Sequence, residues 1–519
     1  MMKGGVFISQ RILNYNGRKK ITASTRAEDL TVESIKGILW EVLPLHIMNS
    51  QDINYLNDVY RGKQDIYEKE KKYRPDINNQ FVENHLMHCV KFKTGYVFDG
   101  VQYVQIVNDV DDKEVEQDNE QMKDISLLNK YFRNTHKQSV TNEVGKQCYI
   151  GGVSPIMVTL NPDNKEKPFE LTNINPTQAF VVYSSGFKGE RLFSVEMYTE
   201  KDYVLNVTKL IFKVTTTKNV FKYSIPYELY YGWRKDKNFA QDAITYVVVN
   251  DPLEEVNVRK EIPIFEYTLN KERMSIVEVG LDAQNALNKL TSSNIDDLEQ
   301  YVQSLTVGID VAIDEDVWDK ATSQGLLLLK TTQDKRGSLE MLSQKLDYTA
   351  VQSTYENIMN RMYTILGVPL LNIGGGGGDT GQARLTDNGW LMADTKARED
   401  EVGFVNSEQY LLDYILRYLR EKDLIGELRP YDVEIKFNRN KVDNIQSMAQ
   451  SYSMLVKSGI HPAIAMEVIG VFGDSNEVWQ RSEKFFGKDF YLGEFGLKQK
   501  EMETISNNPI EEVEVREEI

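Results

Sequence analysis

Gly376 and Gly381 stand at the spacing of a phosphate-binding loop, in which backbone amides cradle phosphate. There a lysine directly after the last glycine reaches the outer phosphates, and a following hydroxyl holds magnesium. Here Gln382 and Ala383 occupy those two positions and no strand precedes the glycines, so the cation and the metal ligand are both missing. His85 and His88, with Cys89 beside them, share one face of a helix and could offer metal ligands. No second ligand pair stands elsewhere in a chain with 5 histidines, so packed or surface histidines are expected. Ser184-Ser185-Gly186 lacks the Gly-x-Ser-x-Gly elbow that exposes a nucleophilic serine. Asp296-Asp297 and Asp314-Glu315-Asp316 read as helix starts and solvated faces, not as an acid and base at working distance. The residues therefore point to no catalytic group, no metal and no cofactor.

The glycines keep their interest without that chemistry. Gly374, Gly375, Gly376, Gly377 and Gly378 are consecutive and lie between two strongly helical stretches. Each would cost about 1 kcal/mol in a helix interior, so the run costs roughly 5 kcal/mol and no helix passes through it. A bare backbone held at both ends by stiff elements must approach something closely or move.

The 519 residues predict about three or four domains. A hydrophobic content of 41% and a charged content of 27% fit an ordinary globular chain with ample core. The net charge of −17 argues against gripping nucleic acid through a concentrated cationic surface, but not against letting it slide past. The two cysteines, Cys89 and Cys148, make no disulfide framework, which predicts a reducing compartment. The start of the chain lacks a cleavable apolar signal, and no apolar run approaches the ~18–20 residues of a membrane span. An intracellular soluble protein with no membrane partner is expected.

The periodicity predicts α+β, predominantly helical. Residues 29–130 read as largely helical, with helices over Leu30 to Trp40, Asn49 to Lys72 and Asp76 to Phe98, the last capped by Asn78-Asn79. A strand follows at Val101 to Gln105, and the acid-rich 108–125 is a solvated loop or helix face. Between 148 and 268, short β-branched or aromatic runs separated by turns predict an antiparallel β region. They are Val153 to Leu160, Ala179 to Tyr183, Leu192 to Tyr198, Lys209 to Thr215, Ile244 to Val249 and Ile262 to Tyr267. Their Tyr and Phe side chains read as sheet packing, because the interleaved cations of a base-stacking platform are missing. From 275 a helical rhythm runs through Ile276, Val279, Ala283, Ala286 and Leu290, and resumes at Ile295 after a phase break at Thr291–Asn294. Val351, Tyr355, Ile358, Met362 and Ile365 repeat it, and such narrow seams suit side-by-side helix packing. Arg384 to Arg420 reads as one long helix, Val433 to Phe437 as a single strand, and Gln446 to Lys457 and Pro462 to Val471 as two helices. The tail from Lys498 onward is acidic and frayed.

These local patterns line up in one order. Tyr60-Arg61-Gly62, Asn78 to Asn84 and Gly95-Tyr96-Val97-Phe98 come first. Ile262 to Tyr267, Asp282-x-x-Asn285 and Ser293-Asn294 follow, then Gly367-Val368-Pro369, the glycines and Thr380-Gly381-Gln382-Ala383-Arg384-Leu385. Val433-x-Ile435-x-Phe437-Asn438-Arg439-Asn440 and Ser458 to Pro462 close the series. Together they resemble the portal proteins of tailed double-stranded DNA bacteriophages, of the large type from siphophages of Gram-positive hosts, over roughly residues 50–485. Threonine at 380 replaces the serine that is usual in that family.

The resemblance implies a portal fold of wing, stem, clip and crown around a central channel. It places the wing at 1–270, a stem helix at 271–306, the clip at 307–346 and a second stem helix at 347–366. The tunnel loop then takes 367–383, the long wing helix and strand 384–437, and the crown with the acidic tail 438–519. It implies a protein that is not an enzyme: a homo-oligomeric ring, a dodecamer, at one capsid vertex of the virion, made in the host cytoplasm. Double-stranded DNA would pass its channel in packaging and ejection. The terminase large subunit, head–tail connector or adaptor proteins, and major capsid and scaffolding proteins would be its partners. The tunnel loop implied is Gly374, Gly375, Gly376, Gly377, Gly378, Asp379 and Thr380, with Arg384 near DNA. The clip and connector contacts implied are Trp318, Leu326, Leu327, Leu328, Leu329, Lys335 and Arg336. Trp318 fits a small core equally well, and Lys330, Lys335, Arg336 and Arg384 fit a solvated surface better than a DNA contact. Two other classes stay open: a virion adaptor or structural protein without a channel, and a nucleotide-binding enzyme using the glycine loop.

Overall fold

Thr31 opens the first long helix, α1 (Val32–Tyr60), by accepting from the Ser34 amide at 3.2 Å, while its own amide donates to Ser34 Oγ at 2.7 Å. The computed structural model describes residues 17–26, 30–72, 74–105, 114–204, 206–228, 244–247, 250–302, 305–309, 338–342, 348–370, 389–439, 445–470, 478–479 and 481–482. Two helices were expected over 30–72, but α1 runs unbroken through Pro44 and stops at Tyr60. An interior proline costs about 3 kcal/mol. Burial on both sides of it offsets that cost: Ile35, Leu39 and Val42 lie in one core, and Leu56 and Val59 in another.

The helix expected over 76–98 begins only at His85. It is α2 (His85–Phe98), with Asn84 as its cap and Asn84 Oδ1 accepting from the Met87 amide at 3.1 Å. A strand β2 (Val101–Gln105) follows, as expected. Next come α3 (Glu114–Asn134), which takes in most of the acid-rich stretch, and α4 (Lys137–Gly151), which the apolar pattern did not announce.

The β region holds two sheets. A strand β1 (Thr22–Ala23) pairs parallel with β5 (Ala179–Ser184) at the start of a six-stranded sheet. That sheet continues through β6 (Arg191–Asp202), β7 (Val207–Thr216), β8 (Asn219–Pro226) and β9 (Leu253–Val256), every further pair antiparallel. Alternate residues such as Phe180, Val195, Phe212 and Phe221 turn to one face and share a core with the first half of α1. A second sheet holds β3 (Ser154–Leu160) between β4 (Phe169–Asn173) and β10 (Ile264–Tyr267). The run from Ile244 was expected to be a strand, and Ile244–Val247 is instead a helical turn with Ile244 and Val247 in the core of the larger sheet.

Helix α5 (Ile276–Val302) continues without a break through the expected phase change. A short antiparallel ribbon follows, β11 (Leu305–Ile309) with β12 (Ser338–Leu342), and then α6 (Tyr348–Leu366). The helices α5 and α6 run antiparallel. Gly280 near the start of α5 lies beneath Leu366 at the end of α6, and the strands that prolong the other ends pair with each other. Then come α7 (Trp390–Glu421), β13 (Val433–Phe437), α8 (Ile445–Lys457) and α9 (Pro462–Ile469). Strand β13 is not single: it pairs antiparallel with β2. Helices α2, α4, α5, α6 and α7 and the smaller sheet share the largest apolar core.

Candidate functional site

All the sequence-predicted site residues lie outside the described residues. Gly374 to Gly378, Asp379, Thr380 and Arg384 fall within 371–388, and Trp318, Leu326 to Leu329, Lys335 and Arg336 fall within 310–337. The structure does describe where the chain enters and leaves both segments. They depart from opposite ends of the antiparallel pair α5 and α6. Residues 310–337 join the two strands of the ribbon, whose last pair is Ile309 with Ser338.

At the other end, Gly367 closes α6 with a left-handed turn, φ +70°. Its amide donates to the Thr364 carbonyl at 3.2 Å and the Val368 amide to the Tyr363 carbonyl at 2.9 Å, the two bonds that terminate a helix on glycine. A Cβ on Gly367 would stand 2.8 Å from Lys396 Cβ in α7, so a larger residue is excluded twice, by space and by φ. Gly389, φ +81°, sits just before α7, and a Cβ there would lie 4.0 Å from Pro369 Cα. Pro369 and Gly389 are thus neighbours, which brings the two borders of 371–388 together. Trp390, the next residue, packs its ring on Phe92 at 5.9 Å and Tyr96 at 5.8 Å, themselves stacked at 5.4 Å on α2. An aromatic cluster therefore stands at the border of the glycine-bearing segment.

Helix α5 is held by a different device. Gln284, Asn288, Ser292 and Asp296 recur every fourth residue on one face and are fully buried or nearly so. They meet the extended stretch that precedes α2. Asp296 Oδ1 accepts from the Asn79 amide at 2.7 Å, Ser292 Oγ from the Phe81 amide at 2.9 Å, and Asn288 Oδ1 from the Glu83 amide at 3.2 Å. Gln284 accepts from the Leu86 amide at 3.2 Å and donates to the Glu83 carbonyl at 2.6 Å. The two spacings match: four helical residues rise about 6.0 Å and two extended residues about 6.6 Å. A chain that bonds to α5 in this way cannot also bond to itself, which is why the expected helix over 76–98 begins late.

Asp296 also receives Lys69 Nζ at 2.7 Å and Lys71 Nζ at 2.8 Å. Burial alone would raise its carboxyl. Hydrogen bonds from Lys69, Lys71 and Asn79 outweigh that and hold it well below the usual carboxylate range. The reading of Asp296 as a solvated helix face is thus corrected: it is the most heavily bonded member of the clamp.

His85 is a packed histidine. Its Nδ1 lies 2.8 Å from Tyr363 Oη, its Nε2 2.9 Å from Tyr355 Oη, and Tyr355 Oη donates to Glu83 at 2.5 Å. With the proton on Nε2, His85 donates to Tyr355 and accepts from Tyr363, which satisfies the chain of bonds. Burial lowers its basicity, in keeping with a neutral ring. The two tyrosines belong to α6, so His85 ties α2 to the helix that ends at the glycine root. Among the described residues no group of three or more His, Cys, Asp or Glu could hold a metal.

The most deeply buried carboxylate, Glu408 on α7, accepts from Lys137 Nζ at 2.9 Å, Tyr267 Oη at 2.7 Å and Tyr103 Oη at 2.9 Å. Its partners come from α4, β10 and β2, so it joins layers of the core. Burial, with Glu408 beside them, pushes both tyrosines far up, which leaves neither as an accessible acid or base.

The clamp residues Gln284, Asn288 and Ser292 escaped sequence reasoning, although their four-residue spacing inside an amphipathic helix was a usable signal. Comparison with known proteins adds the following. A family model described as "Phage portal protein, SPP1 Gp6-like" matches residues 43–483. Among solved structures, a chain of the "Neck of native GTA particle computed with C12 symmetry" is similar at 9% sequence identity and a TM-score of 0.38, over 74% of this chain and 89% of that one. No curated protein matches the chain.

Proposed function

This chain belongs to the phage portal protein family, SPP1 Gp6-like, and from that membership we propose a channel whose narrowest part is lined by Gly374–Thr380. Copies of the chain close side by side into a ring, a dodecamer, at one capsid vertex. DNA passes through its centre in packaging and ejection. The terminase large subunit docks on it first, and head–tail connector proteins follow at the 307–346 clip, where Trp318, Leu326 to Leu329, Lys335 and Arg336 make the contacts. Major capsid and scaffolding proteins surround the ring. The role is structural rather than enzymatic, in the virion.

The observation that carries this reading is the antiparallel pair α5 and α6, with the borders of 371–388 at one end and those of 310–337 at the other. The first pair of borders is set by Gly367 and Gly389, and the second by the ribbon. A side-chain-poor segment rooted on a rigid end can approach duplex DNA closely and shift without obstruction. The net charge of −17 agrees, since each phosphate–cation contact would add salt-dependent affinity and therefore friction. The wing, stem and crown limits read from the sequence are part of the same proposal; α5 and α6 run close to the two stem-helix ranges.

The test is a packaging assay with Gly375, Gly376 and Gly377 replaced by proline. Rings with a central hole are expected in negative stain, with packaged DNA strongly reduced. Unchanged packaging removes the loop from the mechanism. A single-chain mass under assembly conditions removes the ring and leaves the adaptor reading, and saturable ATP binding restores the nucleotide reading.

A further inference from the structure

A groove of about 1720 Å³ runs between α3, α4 and β2, and its charge is opposite to that of the protein as a whole. Among the described residues its one acid, Glu143, is neutralised by Lys146 at 3.1 Å, and its buried Lys137 is taken by Glu408 at 2.9 Å. Lys123 and Arg133 remain, both exposed, on one face of α3, with no acidic partner among the described residues. Beneath them the wall is mixed, with Val104, Ile125 and Phe132 nearly buried beside polar Asn129 and Gln138. The groove is thus a basic rim over a largely polar floor.

We propose that this groove holds the acidic C-terminal segment of the same chain, residues 511–517. Two observations select that occupant. Glu512 and Glu514 alternate with Val513 and Val515, so over 512–515 an extended segment presents carboxylates on one side and β-branched side chains on the other. The described chain also ends at the groove, for Arg481 lines it and Ser482 is the last described residue. Residues 483–519 follow and reach it easily at about 3.3 Å per residue. Duplex DNA fits less well, because two uncompensated cations make a poor phosphate track. The docked tail cancels the basic rim. The inference does not rest on the channel reading; where rings do not form, the same binding is scored on the single-chain protein, so that either can fail alone.

The test uses a labelled peptide of residues 505–519 and rings of the chain truncated after Leu497. Saturable binding is expected, weakening as salt rises, and at least tenfold weaker in truncated rings carrying Lys123→Glu and Arg133→Glu. Full-length rings should bind the peptide at least tenfold more weakly than truncated ones, because their own tail is in place. In the full chain, Ser126→Cys with Val513→Cys should form a disulfide under mild oxidation that links each chain to itself; Cys89 and Cys148 are buried and stay out of the reaction. Binding that ignores the charge reversals, equal binding to full-length and truncated rings, or displacement of the peptide by duplex DNA as effectively as by unlabelled peptide overturns the proposal. A ladder of cross-linked chains overturns its same-chain form.

Discussion

Along the six-stranded sheet, Phe180, Val195, Phe212 and Phe221 share one apolar core with Ile35, Leu39 and Val42 of α1. Along α5, the neighbouring stretch is held instead by Gln284, Asn288, Ser292 and Asp296, each bonded to a backbone amide. Apolar contact is non-directional and scales with area, so it fixes that two surfaces meet more firmly than where they meet. A ladder of side-chain-to-amide bonds has one register, because a slip of one residue would leave buried amides unpaired. The difference follows what each region carries. The sheet has only to stay covered. Helix α5 has to hold the pair it forms with α6, whose two ends carry the borders of 371–388 and of 310–337.

If that division is right, the sheet should lose most when volume is removed. Phe193 is fully buried in its core, and Phe193→Ala should cost about 3–5 kcal/mol, read as a fall in the urea midpoint. A loss under 1 kcal/mol would mean that the sheet is not held by packing.

Acid should separate the two regions. His46 stacks on Phe180 of β5 at 4.2 Å, and its Nε2 lies 3.2 Å from the Thr177 carbonyl. Burial lowers its pKa from 6.5 to about 4, a pull that the bond to Thr177 only partly counters. Between those values the unfolded chain takes up a proton that the folded chain refuses, so stability is full above pH 6.5 and falls as pH drops toward 4. The loss over that window is about 3 kcal/mol. His46→Gln should flatten this limb in unfolding titrations, and an unchanged slope would remove His46 as its cause.

The α5 clamp should fail later. The Asp296 carboxyl is held below its ordinary 3.8, so its contribution is full above about pH 4 and is lost as pH falls below that toward the folded value. Asp296→Asn keeps the shape and removes the charge that Lys69 and Lys71 answer. Stripping one partner from a buried pair costs about 3–5 kcal/mol, and about 2–3 kcal/mol is expected here because both lysines reach water. The variant should also lose the acid limb below pH 4. If it instead loses the limb between pH 6.5 and 4, the two assignments are reversed.

The same contrast explains what the sequence made legible. Ala179–Ser184 announces itself as a short β-branched and aromatic run buried on both faces, and Val433–Phe437 by its local alternation. Helices α5 and α6 are legible for the same reason at a helical period. The stretch before α2 was misread as helix because its amides are satisfied by residues about two hundred positions away, which no local pattern encodes. Helix α1 was read as two helices, Leu30 to Trp40 and Asn49 to Lys72, because the burial that joins them across Pro44 lies in tertiary contacts. Helix α4 was missed because its period is blurred by polar residues that the core satisfies, as Glu408 satisfies Lys137. Of the predicted site, the structure describes the borders and the residues themselves lie outside the described ones; Gly367, whose turn ends α6, was legible only as part of Gly367-Val368-Pro369.

The smallest effect is the most discriminating, because one substitution can be made in both regions. Ser292 Oγ on α5 accepts from the Phe81 amide at 2.9 Å. Ser194 on β6 is equally buried, yet among the described residues its hydroxyl has no partner; it faces Thr215 across the strand pair, whose hydroxyl has none either. Ser292→Ala leaves an amide without its acceptor and should cost about 1 kcal/mol. Ser194→Ala removes a buried hydroxyl that bonds to nothing and should be neutral or slightly stabilising, since burying such a group unbonded is itself costly. Equal losses from the two variants, measured in the same denaturant series, would show that hydroxyl bonding does not separate clamp from sheet. Ser292→Ala should also speed hydrogen exchange at Phe81 and Glu83 while leaving the amides of β6 and β7 protected, as expected when one rung of the register is removed and the sheet is untouched.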